Sequence, residues 1–182
     1  MDFTAYKKYS NTFIETGTHI GTSVKKAIAA GFEVIKSVEA YKEFYLVANS
    51  KFKDNKQVQI FFGKSTERLP EMIKNIPIPS VFWLDAHPSG PGTAGHDELM
   101  AGEKDAYQDN ILEKEIDIII NDGRHVILID DQQGWATAQR FADQIEKYYP
   151  GGYTFEIVDE DLPGIHHKEK VLICLPASLQ AL

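Results

Sequence analysis

Cysteine is almost absent from this sequence, and long apolar runs are missing. The single cysteine, Cys174, lies in an apolar segment, so we expect a buried, unreactive thiol rather than a disulfide. No stretch of about 18 apolar residues occurs, so we expect no membrane-spanning helix. The first ten residues carry lysines and tyrosines rather than the apolar core of a signal peptide, which favours a cytoplasmic protein.

Clusters of basic residues are also missing. The chain has 19 Lys and Arg residues against 27 Asp and Glu residues, a formal net charge of −8. Proteins that hold nucleic acids through phosphate contacts present a basic face, so the composition predicts no nucleic-acid partner. The hydrophobic fraction of 43% is ordinary for a globular protein. The length of 182 residues predicts one domain, residues 1–182, with a substantial core.

The chain does contain a regular alternation of short apolar runs and amphipathic stretches. The runs that we predict as strands lie at residues 13–14, 34–38, 58–62, 81–84, 126–129, 153–158 and 171–175. Helical spacing of apolar residues follows each of the first five runs, whereas no long helix separates the last two. This order predicts an α/β Rossmann-like three-layer sandwich with a mostly parallel sheet and an antiparallel strand at one end.

A glycine-rich turn follows the first predicted strand, in the segment Glu15-Thr16-Gly17-Thr18-His19-Ile20-Gly21. Ligands of open α/β sheets bind beyond the carboxyl ends of the strands. Glycines at that place let backbone amides approach a ligand closely, and the next helix presents its positive N-terminus. Two glycines four residues apart also suit a turn that binds nothing, so this segment alone indicates only a nucleotide-like ligand.

An acidic residue, Glu39, follows the second predicted strand. A carboxylate at this place can accept both ribose hydroxyls of an adenosine ligand, or it can complement the dipole of the next helix. The segment Gly63-Lys64-Ser65 follows the third strand, where the adenine ring would lie. Ser65 equally suits the N-cap of a helix.

These segments together resemble the class I S-adenosylmethionine-dependent methyltransferases. The resemblance is carried by Glu15-x-Gly17-x-x-x-Gly21, Glu39, Gly63-Lys64-Ser65 and Phe82-Trp83-Leu84-Asp85, and it covers residues 13–175. It implies a seven-stranded sheet whose last strand is antiparallel, and methyl transfer from the sulfonium of the cofactor. The cofactor-binding residues that it implies are Glu15, Gly17, Thr18, His19, Gly21, Thr22, Glu39, Ala40, Gly63, Lys64, Ser65 and Asp85.

Three carboxylates follow neighbouring strands, Asp85 after the fourth and Asp130-Asp131 after the fifth. Adjacent strands lie about 5 Å apart, so a divalent cation such as Mg²⁺ would relieve the repulsion between them and activate a substrate hydroxyl. The pattern is similar to metal-dependent O-methyltransferases of sugars and catechols, which implies Asp85, Asp130 and Asp131 as metal ligands. The base of the sugar-modifying group falls here on His87, which could serve as base or as fourth ligand. Turn and capping roles for Asp85 and Asp131 are the alternative.

We therefore predict an O-methyltransferase that acts on a small polar acceptor, with Asp85 and His87 as catalytic residues and a sugar hydroxyl as the favoured acceptor group. The glycine-rich segment 88–102 suits a lid over the substrate, or a surface loop without that role. A non-catalytic binding module with the cofactor fold is one alternative function. A nicotinamide-dependent reductase is another, although the Tyr-x-x-x-Lys pair of short-chain dehydrogenases is missing. The sequence leaves open whether the protein forms a homo-oligomer.

Overall fold

Strands and helices alternate along the chain as predicted. A computed structural model describes residues 1–86, 104–132, 134–160 and 169–179, without the side chains of 104–110, Trp135, Glu160 and Glu169. The strands are β1 (Thr12–Thr16), β2 (Val34–Glu39), β3 (Val58–Phe62), β4 (Val81–Leu84), β5 (Val126–Gln132), β6 (Tyr153–Glu160) and β7 (Glu169–Pro176). The helices are α1 (Thr4–Lys7), α2 (Thr22–Ala29), α3 (Lys42–Phe52), α4 (Ser65–Met72), α5 (Lys104–Asp122) and α6 (Trp135–Tyr148). A short 3₁₀ turn follows at Ala177–Leu179.

The seven strands form one sheet in the order β3-β2-β1-β4-β5-β7-β6. The pairs among β1 to β5 are parallel, and β7 runs antiparallel to both of its neighbours. The mostly parallel sheet with an antiparallel last strand is therefore confirmed. The antiparallel strand lies one place in from the edge rather than at the end of the sheet. Its central residues, Val171 to Cys174, are buried on both faces, as a position between two strands requires.

Apolar side chains on each face of the sheet pack against a different set of helices. On one face, Phe13, Trp83 and Leu128 of the strands pack with residues of α1, α2 and α3. On the other face, Ile14 and Phe82 pack with residues of α4, α5 and α6. Because successive side chains of a strand point to opposite faces of the sheet, each strand contributes to both cores, which gives the three-layer arrangement. The thiol of Cys174 is buried in the second core, and burial raises its pKa.

The strand order reverses between β1 and β4. From β1, the third of the seven strands in the sheet, the chain passes to β2 on one side and returns to β4 on the other. Ligands of open α/β folds bind where the strand order reverses in this way, beyond the carboxyl ends of the strands. Glu39 and Asp85 lie at these ends, as does the glycine turn. Within the described residues, none of the helices combines the length and apolar character needed to cross a membrane.

Candidate functional site

The glycine turn begins where β1 ends, at Thr16. The backbone N–H groups of Gly17 and Thr18 both donate to the Val38 carbonyl of β2, at 3.0 and 3.1 Å. The chain then turns over Thr18, whose carbonyl accepts the Gly21 N–H at 2.8 Å, and enters α2. The turn is thus fastened to the carboxyl end of β2 by backbone hydrogen bonds. Thr22 is the first residue of α2, and its side chain is exposed.

Two glycines of this turn are required by close packing as well as by conformation. Gly17 has a φ of +86°, and a Cβ there would lie 2.3 Å from the carbonyl oxygen of Asp85. Gly21 has a φ of +78°, and a Cβ there would lie 2.4 Å from the Phe52 ring of α3. Only glycine avoids both problems. The packing of Gly21 is a structural reason for this glycine, and its contact with a cofactor stays a prediction.

The carboxylate of Glu39 holds the turn from the side of β2. One oxygen accepts the backbone N–H of His19 at 2.6 Å, and the other accepts the backbone N–H of Tyr41 at 2.7 Å. His19 has a φ of +49°, and its ring packs edge-on against Phe44. A carboxylate oxygen can accept more than one hydrogen bond. Glu39 is therefore oriented by the protein and still has acceptor capacity for a ligand.

Glu15 lies below the turn and is completely buried. The Ser37 hydroxyl donates to its Oε2 at 2.5 Å, so the Thr18 hydroxyl, 2.5 Å from Ser37 Oγ, donates to Ser37 in turn. Burial raises the pKa of the Glu15 carboxyl well above its usual range. Glu15 is the end point of a hydrogen-bond chain that fixes the turn. Its contact with a cofactor, as predicted from sequence, stays a prediction.

The residues after β2 and β3 approach the same end of the sheet. The Gly63 N–H donates to the Glu39 carbonyl at 3.0 Å, which joins the two strand ends. Ala40, directly after Glu39, is half-buried. Lys64 takes the N-cap position of α4 and is exposed, whereas Ser65 is the buried first residue of the helix. The alternative that Ser65 is the N-cap is therefore wrong, because the helix begins one residue earlier than that role requires.

Glu115 of α5 also reaches this end of the sheet, although it is not among the residues predicted from the sequence. It is completely buried, and the Thr16 hydroxyl donates to its Oε2 at 3.1 Å. Burial raises the pKa of Glu115 to about 7; the charge of Asp85 adds to this, and hydrogen bonds from Ser65 and Thr16 oppose it. The sequence did hold a signal, because Glu115 falls between Leu112 and Ile119 on the apolar face of its helix.

Asp85 follows β4 and lies beside the glycine turn. Its backbone N–H donates to the Thr16 carbonyl at 3.0 Å, and its side chain is half-buried. Burial raises the pKa of both Glu15 and Glu115, and the charge of Asp85 adds to both shifts. The structure therefore brings Glu15, Glu39, Asp85 and Glu115 together around the end of β1.

The acidic pair of β5 is placed differently. β5 runs on to Gln132, with a shift of register against β7 between Ile129 and Gln132, and Asp131 has a φ of +55°. Asp130 is buried, whereas Asp131 is exposed. No three His, Cys, Asp or Glu side chains among the described residues form a group that could hold a metal ion. The described residues thus do not assemble Asp85, Asp130 and Asp131 into the predicted metal site, and the metal stays a prediction.

Some predicted features lie outside the residues that the structure describes. They are His87 and the segment 88–102. The predicted role of His87, as base or metal ligand, stays a prediction.

No protein-family model and no curated protein sequence matches the chain. Solved structures match it in fold. The O-methyltransferase TomG from Streptomyces achromogenes, in complex with SAM, aligns with a TM-score of 0.66 and 13% identity over 94% of this chain and 75% of that chain. An O-methyltransferase from Bacillus cereus, in complex with SAH, aligns with a TM-score of 0.59 and 12% identity over 96% and 78% of the two chains.

A third solved structure that matches in fold is named as a methyltransferase of another type than the two O-methyltransferases. The precorrin-6y C5,15-methyltransferase from Geobacter metallireducens aligns with a TM-score of 0.59 and 13% identity, over 91% of this chain and 80% of that chain. At these identities, the likeness establishes the fold and not the acceptor. The chain has the fold of class I S-adenosylmethionine-dependent methyltransferases.

Proposed function

We propose that this chain is an S-adenosylmethionine-dependent O-methyltransferase for a small polar acceptor, with a sugar hydroxyl as the acceptor group. The observation that carries the proposal is the Glu39 carboxylate, which the amides of His19 and Tyr41 hold at the end of β2 beside the glycine turn. A carboxylate at this position is the group that binds ribose hydroxyls in nucleotide-binding α/β folds.

The surrounding residues fit an adenosyl ligand that carries a positive charge. Gly17 keeps the turn close to β4, and the carboxyl groups of Glu15, Asp85 and Glu115 surround the end of β1. When bound, S-adenosylmethionine supplies the methyl group that the acceptor oxygen receives. The chain itself has to bind this cofactor, orient the acceptor and take up the proton that the acceptor hydroxyl loses.

We assign the uptake of that proton to the Asp85 carboxylate. It lies at the end of β4, next to the turn that would hold the cofactor, and it is half-buried and thus accessible to an acceptor. His87 is the alternative base. The choice of a sugar rests on the resemblance of Asp85, Asp130 and Asp131 to the acidic residues of sugar-modifying enzymes.

Binding calorimetry with S-adenosylmethionine and its demethylated product tests the cofactor. We expect both compounds to bind the wild-type chain, and Glu39→Gln to weaken both by about tenfold or more, because an amide nitrogen would face the N–H of His19 or Tyr41. Glu43→Gln, an exposed neighbour on α3, is the matched control and should bind as wild type. Binding of a nicotinamide cofactor instead would favour the reductase, and binding of neither would favour the non-catalytic module.

Transfer of an isotopically labelled methyl group to a panel of sugars and catechols tests the reaction. Asp85→Asn should bind S-adenosylmethionine but transfer no methyl group, because the amide cannot take up the proton. Full turnover by this variant would exclude Asp85 as the base. The same assay with a chelator tests the predicted Mg²⁺, since undiminished transfer would argue against a metal.

A further inference from the structure

Glu115 is a buried acid that the proposed reaction does not use directly. Its side chain is completely buried, yet it lies on a helix that otherwise faces the core with Leu112, Ile116 and Ile119. Hydrogen bonds from Thr16 and Ser65 reach its carboxyl group, and its Oε1 has no hydrogen-bond partner among the described residues. A buried carboxyl with so few partners costs stability unless another group compensates for it. Its presence therefore calls for a reason outside the packing of the core.

The position of Glu115 indicates what that compensating group is. Thr16, its hydrogen-bond partner, is the last residue of β1, and the Thr16 carbonyl accepts the Asp85 N–H at 3.0 Å. The carboxyl thus lies directly beneath the point where β1 and β4 end together. The charge of Asp85 acts on it, and burial disfavours its ionised form. A positive charge bound above this point would stabilise the ionised carboxyl, and a neutral ligand would not.

We infer that Glu115 is a specificity-determining residue that makes the site favour the sulfonium cation of S-adenosylmethionine over the neutral thioether of its demethylated product. This inference rests on the proposed function. S-adenosylmethionine and the product differ by one methyl group and one positive charge at sulfur. Loss of that charge on transfer removes the partner of the Glu115 carboxylate. The product is then held less tightly than the methyl donor, which favours its release.

The test compares the affinities of the two compounds. The preference is the ratio of the Kd for S-adenosylhomocysteine to the Kd for S-adenosylmethionine, measured by calorimetry at about pH 8, where the wild-type carboxyl is largely ionised. Glu115→Gln keeps the shape without the charge, and Glu115→Met is a second uncharged variant for the case that the first does not fold. We expect the preference to fall about tenfold in both, the equivalent of one pKa unit of lost interaction.

Two further variants separate charge from packing. Glu115→Asp keeps the charge and should retain more of the preference than Glu115→Gln, although it shortens the side chain. Glu113→Gln makes the same change of charge on the same helix at a half-buried position and should keep the wild-type ratio. If Glu115 had only a structural role, its substitution would weaken the binding of both compounds equally and leave the ratio of their Kd values unchanged.

The outcomes distinguish this inference from the proposed function. If the wild-type chain binds neither compound, the proposed function is wrong and the inference falls with it. If the wild-type chain binds both, and a folded Glu115→Gln or Glu115→Met variant keeps the wild-type preference, the inference alone is overturned. A product inhibition constant that falls relative to the KM for S-adenosylmethionine in these variants would support it.

Discussion

The α-carbon of Gly17 lies against the backbone of Asp85, so that a Cβ on Gly17 would stand 2.3 Å from the Asp85 carbonyl oxygen. This contact joins the turn after β1 to the residue after β4, the two segments that we assign to the cofactor and to the acceptor. We expect Gly17→Ala to lower the free energy of unfolding by about 3 kcal/mol, because the change adds a clash to a left-handed backbone. Urea unfolding measures this loss, and calorimetry should show no binding of S-adenosylmethionine.

Gly151 provides the control for Gly17. It also has a positive φ, +63°, but no atom lies within 4 Å of the position that its Cβ would take. Gly151→Ala should therefore cost about 1 kcal/mol from the left-handed backbone alone. Equal losses in the two variants would show that the contact with Asp85 contributes nothing.

Ser37 is the middle member of the hydrogen-bond chain from Thr18 to Glu15. Ser37→Ala leaves a buried hydroxyl and a buried carboxyl without this partner, so we expect a loss of about 1–3 kcal/mol in the free energy of unfolding. S-adenosylmethionine should also bind more weakly, since the turn loses one of its attachments to β2. Ser50→Ala, at an exposed position of α3, should change neither quantity. If the free energy of unfolding of Ser37→Ala equalled that of the wild type, the hydrogen-bond chain from Thr18 to Glu15 would contribute no stability.

The buried Glu115 predicts a stability that depends on pH. Its pKa is raised from 4.5 to about 7 in the folded chain, so its contribution to stability is fully present below about pH 4.5 and is lost as the pH rises through about 7. From pH 5 to pH 8 the free energy of unfolding of Glu115→Gln should therefore rise by about 2 kcal/mol relative to that of the wild type. Urea unfolding at both pH values measures the difference, and exposed Glu67→Gln serves as the control. A gain that is equal at both pH values would refute the prediction.

From His125, at the other end of the sheet, we expect a pH dependence of stability with the opposite sign. Its Nδ1 accepts the Ser80 N–H at 3.0 Å, which leaves the ring proton on Nε2, 3.1 Å from Asp122 Oδ2. Burial lowers the pKa of His125, and Asp122 only partly opposes this. Below about pH 6.5, His125 therefore binds a proton in the unfolded chain but stays neutral in the folded chain. The free energy of unfolding then falls by up to about 1.4 kcal/mol for each unit by which the pH decreases.

Substitution of His125 checks that assignment. His125→Gln should flatten the dependence of the free energy of unfolding on pH between about 5 and 6.5. His19→Gln removes an exposed histidine and should leave the slope as it is in the wild type. A wild-type slope in His125→Gln would mean that another group takes up the proton.

The sequence predicted the strands and helices well because each apolar pattern reflects local burial. The apolar runs 58–62 and 81–84 coincide with β3 and β4, and the order of strands and helices from β1 to β7 is the predicted one, whereas α1 was not predicted. The run 81–84 is apolar on both faces and lies inside the sheet, whereas β3 is an edge strand without a buried residue. The position of β7 between β5 and β6 was harder to predict from the sequence, since pairing between strands depends on residues far apart in the chain.

The glycine turn and Glu39 were also readable from the sequence, because turn and strand-end positions are set by neighbouring residues. The group of carboxyls around β1 was not. Thr16 and Glu115 lie 99 residues apart, and only the packing of α5 on the sheet brings them together. Asp130 and Asp131 were expected after the strand next to β4, but they lie within it, and the register shift of β5 and the left-handed backbone of Asp131 decide where their side chains lie.

The sequence by itself thus determined the α/β alternation, the turn from Glu15 to Gly21 and the acidic residue that follows β2. The tertiary structure alone decided that Glu15 and Glu115 are buried beneath that turn and that Asp85 lies beside it. The physical reason is that local patterns fix the backbone of each element, whereas the pKa and partners of a carboxyl depend on the elements that exclude water from it.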